Sequence, residues 1–330
     1  MAEWKREPFS FPSTDGVHEI YATLSLPEGE PRGVVQLIHG MLDHSARYGE
    51  LANAVLEAGF AFVGMDLPGH GDSVKDPEER GFFSEGDGIE LLLGDILRCN
   101  ERIHARFPHL PVVIFAHSMG SFLGRMYAER YGDTVSGIVL SGTAGRLPAA
   151  TFGIGLTRLL ALFRGKRYRS PFVAKMAFAG YLSRFSKEEG VSAWITRDGE
   201  IRKTRDADLK SQFIFTVSGY RDLFRMVRHV GSRSHFAGYP KTLPTLLVAG
   251  TMDPVGKWGE GVRQVYSRLG DAGVSPLDIL LYEGARHEVF SEIDREEFFS
   301  DLTKWLREAI LLQGTEMAEN AVEAKETEDA

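Results

Sequence analysis

Residues Val112-Val113-Ile114-Phe115-Ala116-His117-Ser118-Met119-Gly120-Ser121-Phe122 leave the chain little choice of local geometry. Pro111 bounds an apolar, β-branched run of the kind that forms a buried strand. From Phe122 onward the pattern is helical, with Phe122, Leu123, Met126 and Tyr127 on one face. A chain that turns from strand to helix in so few residues crowds its own backbone, so small residues are needed two positions either side of Ser118. Ala116 and Gly120 stand there, Ala116 adding one methyl relative to the G-x-S-x-G pattern. The turn leaves Ser118 at a helix N-terminus, where unpaired backbone N–H groups can stabilise a developing anion. The pentapeptide alone is a weak signal; the strand before it and the helix after it give it weight.

On either side of this turn, strand and helix patterns alternate. Residues 9–14 and 17–26 form an expected antiparallel edge hairpin around Asp15-Gly16. Val34 to Ile38 is a buried strand leading into His39-Gly40-Met41, followed by a helix from Ala46 to Ala58 that stops at Gly59. Phe60 to Asp66 is the next strand, then a helix from Glu85 to Phe107, and after the Ser118 unit a strand over Val135–Ser141. Such alternation predicts an α/β fold, a mostly parallel, doubly wound sheet flanked by helices. It breaks between residues 143 and 235, where the reading is helical, and resumes with strands over 242–250 and 277–282 and a closing helix over 290–312. The expected organisation is a core over 1–142 and 236–312, a helical cap inserted over 143–235, and a tail over 313–330. No internal repeat is visible.

The 330 residues, 43% apolar and 25% charged, suit a globular protein with a full core. No apolar run approaches membrane-spanning length and no apolar leader is visible, which predicts a soluble protein. The lone Cys99 sits in a helical pattern as a small buried side chain and cannot form an internal disulfide, so a reducing cytoplasm is the expected compartment. The net charge of −8 is uneven. After Gln313 there are six acids against Lys325, and that tail is expected to be disordered. Residues 151–240 hold 17 Lys or Arg against 7 Asp or Glu, a local +10.

A serine hydroxyl is a poor nucleophile at neutral pH and needs a base held by a third group. In open α/β sheets functional groups collect in the loops after strand C-termini. Ser118 follows one strand, Asp253 the penultimate and His287 the last, in the chain order Ser, Asp, His of a hydrolytic triad. Ser118 would attack, His287 would carry the proton, and Asp253 would orient the imidazole. Backbone N–H groups of Met41 and Met119 are the expected oxyanion donors, with Gly40 and His117 at the substrate. Each assignment has an alternative: Asp253 also suits a helix cap, His287 a surface or satisfied histidine, and His39, His117 and His70 loop-shaping roles. The histidines lack H-E-x-x-H spacing and cysteine partners, and no phosphate-cradling glycine pattern is present, so neither a metal nor a cofactor is expected.

Three segments together, His39-Gly40-Met41 with Asp43-His44-Ser45-Ala46-Arg47-Tyr48, Asp66-Leu67-Pro68-Gly69-His70-Gly71-Asp72-Ser73, and Ala116-His117-Ser118-Met119-Gly120, resemble the monoacylglycerol lipase and lysophospholipase branch of the α/β-hydrolases. Gly250-x-x-Asp253-Pro254-Val255 and Tyr282-Glu283-Gly284-x-x-His287-Glu288 are similar to the same branch. The likeness covers roughly residues 10–142 and 240–312, and Ala116 departs from the branch's usual glycine. It implies hydrolysis of carboxylic esters of lipid-like alcohols, without a cofactor, through an acyl-enzyme. The insertion falls where the branch carries its cap, and its basic balance suits either a membrane surface, a lysophospholipid headgroup or an ordinary solvated face. No nucleic-acid partner is expected. Two alternatives remain open: an amide-cleaving, aminopeptidase-like enzyme with Glu188-Glu189 as the amine anchor, and a non-catalytic binding protein. Epoxide or haloalkane hydrolysis would need a carboxylate in place of Ser118.

Overall fold

The structure, a computed structural model, describes residues 4–308. The acidic tail and the end of the closing helix lie outside the described residues. Strands β1 (Lys5–Pro12) and β2 (Glu19–Leu26) pair antiparallel across the Asp15-Gly16 turn, Pro12 facing Glu19. Strands β3 (Val34–Ile38), β4 (Ala61–Met65), β5 (Val112–His117), β6 (Gly137–Ser141), β7 (Thr245–Gly250) and β8 (Leu277–Tyr282) run parallel. The sheet order is β1-β2-β4-β3-β5-β6-β7-β8, with β2 antiparallel to β4, so the hairpin forms one edge and β5 lies near the centre.

The first half of the sheet is joined by α1 (Gly49–Glu57), α2 (Gly88–Arg106) and α3 (Met119–Tyr131). Between β6 and β7 come α4 (Ala149–Arg164), α5 (Pro171–Ala177), α6 (Gly199–Ala207), α7 (Val217–Val230) and α8 (Arg233–Gly238), with no strand among them. The chain then continues through α9 (Glu260–Asp271) and α10 (295–308). Side chains of β5 alternate between the two faces. Val112, Ile114 and Ala116 join the cluster containing Leu92, Leu123 and Met226, while Val113 and Phe115 join Val55, Phe298 and Leu302. Both faces are therefore covered, as a parallel sheet requires.

Three expected boundaries move, each for a local reason. Helix α2 begins at Gly88 rather than Glu85 because the Asp87 carboxylate caps it, accepting from the N–H groups of Ile89 and Glu90. The helix expected from Ala46 opens as a 3₁₀ turn over Ser45–Tyr48 before α1. The closing helix starts at residue 295 rather than 290, because Val289–Ser291 is a separate 3₁₀ turn that packs Phe290 against Tyr48, ring centroids 4.8 Å apart.

Helix α7 seats the inserted helices on the core, lying across both α2 and α3 and pairing with α4. Below it the fully buried Arg125 of α3 donates to Ala144 O (3.1 Å), Val230 O (2.5 Å) and His235 Nε2 (3.3 Å). Burial pulls its pKa down to about 9. Among the described residues no helix is long and apolar enough to cross a membrane.

Candidate active site

Ser118 takes φ +54° and ψ −121°, a region that side-chain-bearing residues rarely adopt. Two close approaches enforce it. A Cβ on Gly120 would stand 2.1 Å from Ile38 O and 2.5 Å from His39 O, so only glycine lets the first turn of α3 press onto the end of β3. A Cβ on Gly40 would stand 3.1 Å from that of Ser118, so the Gly40-Met41 backbone also comes up against the serine. Ala116 is accommodated by a second glycine: a Cβ on Gly124, one turn into α3, would lie 2.7 Å from the Ala116 methyl. The methyl that departs from the usual motif thus has its space reserved by the facing helix.

Ser118, Met41 and Met119 line one cavity of about 250 Å³. Most of its wall comes from the insertion, including Met176, Phe178, Tyr181, Trp194 and Phe224, and is apolar. His287 and Asp253 are buried beside it, with Nδ1 of His287 3.0 Å from Oδ1 of Asp253. The cavity-lining Trp194 reaches this pair, its ring centroid 4.9 Å from that of His287. Gly142 (φ +59°) makes room for the imidazole, since a Cβ there would meet His287 Cε1 at 2.8 Å. Asp253 does not cap α9, which starts only at Glu260; its Oδ1 accepts from the N–H of Val255 in a tight turn.

Gly40 and His117 are not among the residues that line the cavity. His117 Nδ1 lies 3.1 Å from Ser141 Oγ, and its ring is 4.6 Å from that of His287. Burial, then the neighbouring His287, pushes its pKa well below the ordinary histidine value. His39 accepts from the N–H of Leu67 on Nε2 and donates from Nδ1 to Gly40 O, bracing the loop that carries Met41. His70 donates to Pro68 O among Phe83, Phe213 and Phe215, and burial pulls its pKa down to about 3.

Two ties were not legible in the sequence. Arg47 Nη1 donates to Asp43 (2.6 Å) and Nη2 to both oxygens of Glu288 (3.0 and 3.1 Å), joining the Met41 loop to the His287 loop. Burial alone would raise the Asp43 carboxyl, but Arg47, His39 and Tyr48 outweigh it and hold it well below the carboxylate range. The insertion clamps the same loop, with His287 N donating to Trp194 O (3.2 Å) and Glu288 N to Ile195 O (2.8 Å). Asp43, Arg47 and Glu288 lay within the resembling segments, but nothing in spacing said that they would meet. Glu189, weighed as an amine anchor, is bonded instead to Arg286 (2.6 Å).

Elsewhere Glu129, His229 and His235 converge with metal-ligand spacing. Arg125 donates to His235 Nε2, so Nδ1 carries the proton it donates to Glu129 (2.8 Å), and the cluster is a hydrogen-bonded knot between α3, α7 and α8.

A serine turn, a buried His–Asp pair and two backbone loops converging on an apolar cavity of a doubly wound sheet define an α/β-hydrolase. The family model described as serine aminopeptidase S33 (Hydrolase_4) matches residues 29–294, and the chain belongs to that family. The monoacylglycerol lipase of Mycolicibacterium smegmatis is 28% identical over 93% of this chain and 99% of its own. The human monoglyceride lipase is 24% identical over 94% and 96%. A carboxyl esterase from Bacillus coagulans, solved with glycerol, superposes with a TM-score of 0.87 at 27% identity, covering 92% of this chain and 99% of its own. The chain is an enzyme, a hydrolase of esters.

Proposed function

We propose that the chain is a serine carboxylester hydrolase acting on lipid-like esters, monoacylglycerols or lysophospholipids, with Ser118, His287 and Asp253 as its triad. The observation that carries this is Ser118 held at positive φ on the wall of an apolar cavity that Met41 and Met119 also line. Ser118 Oγ attacks the ester carbonyl as His287 takes its proton, and Asp253 stabilises the imidazolium. The Met41 and Met119 N–H groups receive the oxyanion, each such donor being worth about 2.7–4 kcal/mol. The tetrahedral intermediate expels the alcohol, protonated by His287, and leaves an acyl-enzyme. Water, deprotonated by His287, then releases the carboxylic acid and restores Ser118. The apolar wall supplied by residues 143–235, in the role of a cap, takes the acyl chain.

Contact with a membrane surface belongs to the same reading. Phe152, Leu159, Leu162 and Phe163 of α4 and Phe172 of α5 are exposed among basic residues such as Arg158, Arg164 and Lys175, the composition that docks on anionic lipid. Co-sedimentation with anionic vesicles, lost in Leu162→Ser/Phe163→Ser, checks this part. A cytoplasmic location goes with the single cysteine, Cys99, whose thiol burial pushes up to about 12.

The deciding experiment is fatty acid release from monooleoylglycerol and lysophosphatidylcholine, with fluorophosphonate labelling alongside. Ser118→Ala is expected to lose roughly 10⁴-fold or more in kcat and all labelling. Hydrolysis that persists in this variant would overturn the assignment.

A further inference from the structure

The apolar cavity at Ser118 has a larger neighbour, an open groove of about 780 Å³ between the 3₁₀ turn at Ser45–Tyr48, α1 and α6, lined among others by His44, Arg47, Thr204 and Asp208. Among the described residues, one side chain lines both spaces: Arg205 of α6. It is 13% exposed. Its neighbours spend their guanidinium groups, Arg47 on Asp43 and Glu288, Arg202 on Thr196 O and Arg197 O, Arg286 on Glu189. The Arg205 side chain donates no hydrogen bond to any described residue, its Nε is buried without a partner, and its nearest carboxylate is Asp206 at 3.7 Å. A largely buried guanidinium whose Nε has no partner and whose nearest carboxylate stands 3.7 Å away is costly unless something arrives to accept from it.

We propose that Arg205 reads the headgroup, its guanidinium receiving a phosphate carried on the alcohol side of the scissile ester, so that lysolipids with an anionic phosphate headgroup are the preferred substrates. The inference rests on Ser118 being the nucleophile. With the acyl chain in the apolar cavity and the carbonyl at Ser118, the alcohol leaves toward the larger groove, and Arg205 stands on the wall between them. The planar fork of arginine matches two phosphate oxygens at once. Asp43 and Glu288, whose charges also act on Arg205, are bonded to Arg47 and Tyr48 and accept no hydrogen bond from Arg205. Burial still dominates, lowering the pKa of Arg205 despite them, which is the condition an incoming anion relieves.

The test compares kcat/KM on 1-oleoylglycerol 3-phosphate and on monooleoylglycerol, in wild type, Arg205→Gln, Arg205→Lys and Lys203→Ala. Lys203 is an exposed cation on the same helix, so its loss removes the same charge from the solvent side. The wild type is expected to favour the phosphate-bearing lipid. Arg205→Gln should cut the ratio of the two substrates by about tenfold or more, chiefly through KM, as loss of a charge-assisted contact does. Arg205→Lys should keep part of the ratio, and Lys203→Ala all of it. A wild-type preference for monooleoylglycerol overturns the proposal. So does an equal loss on both substrates in Arg205→Gln, or an equal shift in Lys203→Ala. Failure of the underlying reading looks different: Ser118→Ala would still cleave both lipids.

Discussion

At the scale of single residues, the site is made by glycines that hold other groups in place. Gly120 and Gly40 allow the two backbone loops to meet at Ser118, and Gly142 gives His287 its position. Gly142→Ala would push a methyl into the imidazole and place alanine at φ +59°. We expect kcat/KM to fall about 100-fold, since a displacement near 1 Å at a reacting group costs that much. The strain should cost only about 1–2 kcal/mol of stability. Ester kinetics beside a urea titration separates the two effects, and full activity in Gly142→Ala would remove His287 as the base. The importance of Ser118 could be read from its pentapeptide. That of Gly142 could not, because the imidazole it admits lies 145 positions later in the chain.

At the scale of elements, Arg47 holds together two loops that follow different strands. It is 13% exposed, and Asp43 and Glu288 are 4% and 5% exposed. Arg47→Met leaves two buried carboxylates facing each other, for which about 3–5 kcal/mol of destabilisation is expected. The pH dependence identifies the cause. In the wild type Asp43 titrates below its ordinary value, so its contribution is present above about pH 4 and lost below. Without Arg47 burial raises Asp43, protonation then favours the folded state, and the deficit of the variant relative to the wild type should shrink as pH falls from 7 toward 5. Urea midpoints across that range check it; a deficit independent of pH would mean lost packing instead. The element types were legible from periodicity, as were the parallel sheet and the edge hairpin. The starts of α2 and α10 were not, because a cap at Asp87 and a turn around Phe290 outweigh the apolar spacing.

At the scale of the molecule, four buried histidines bind the core together in neutral form. His39, His70, His117 and His235 all have pKa values lowered by burial, to about 3 for His70 and about 4 for His235, from an ordinary 6.5. The unfolded chain therefore takes up protons first. Their stability is fully present above about pH 6.5 and is lost as pH falls toward the folded values, at up to about 1.4 kcal/mol per pH unit for each. His18, raised by its bond to Asp15, acts weakly in the opposite sense. The melting temperature should hold between pH 7 and 8 and drop steeply between 6.5 and 5. A flat profile would show that these histidines ionise inside the fold without cost.

What the sequence determined by itself is what depends on neighbours along the chain. The strand–serine–helix turn, the alternation that makes a parallel sheet, the helical character of residues 143–235 and the Ser, Asp, His order all follow from local spacing and sterics. Tertiary structure decided what depends on distant segments meeting. Gly124 makes room for the Ala116 methyl, Arg47 joins Asp43 to Glu288, and Trp194 and Ile195 of the insertion hold the His287 loop. Arg205, one basic residue among 17 in its region, is singled out only because folding leaves its guanidinium between two cavities with its Nε unpartnered. Charge can be counted in a sequence, but whether a charge is satisfied is a property of the packed chain.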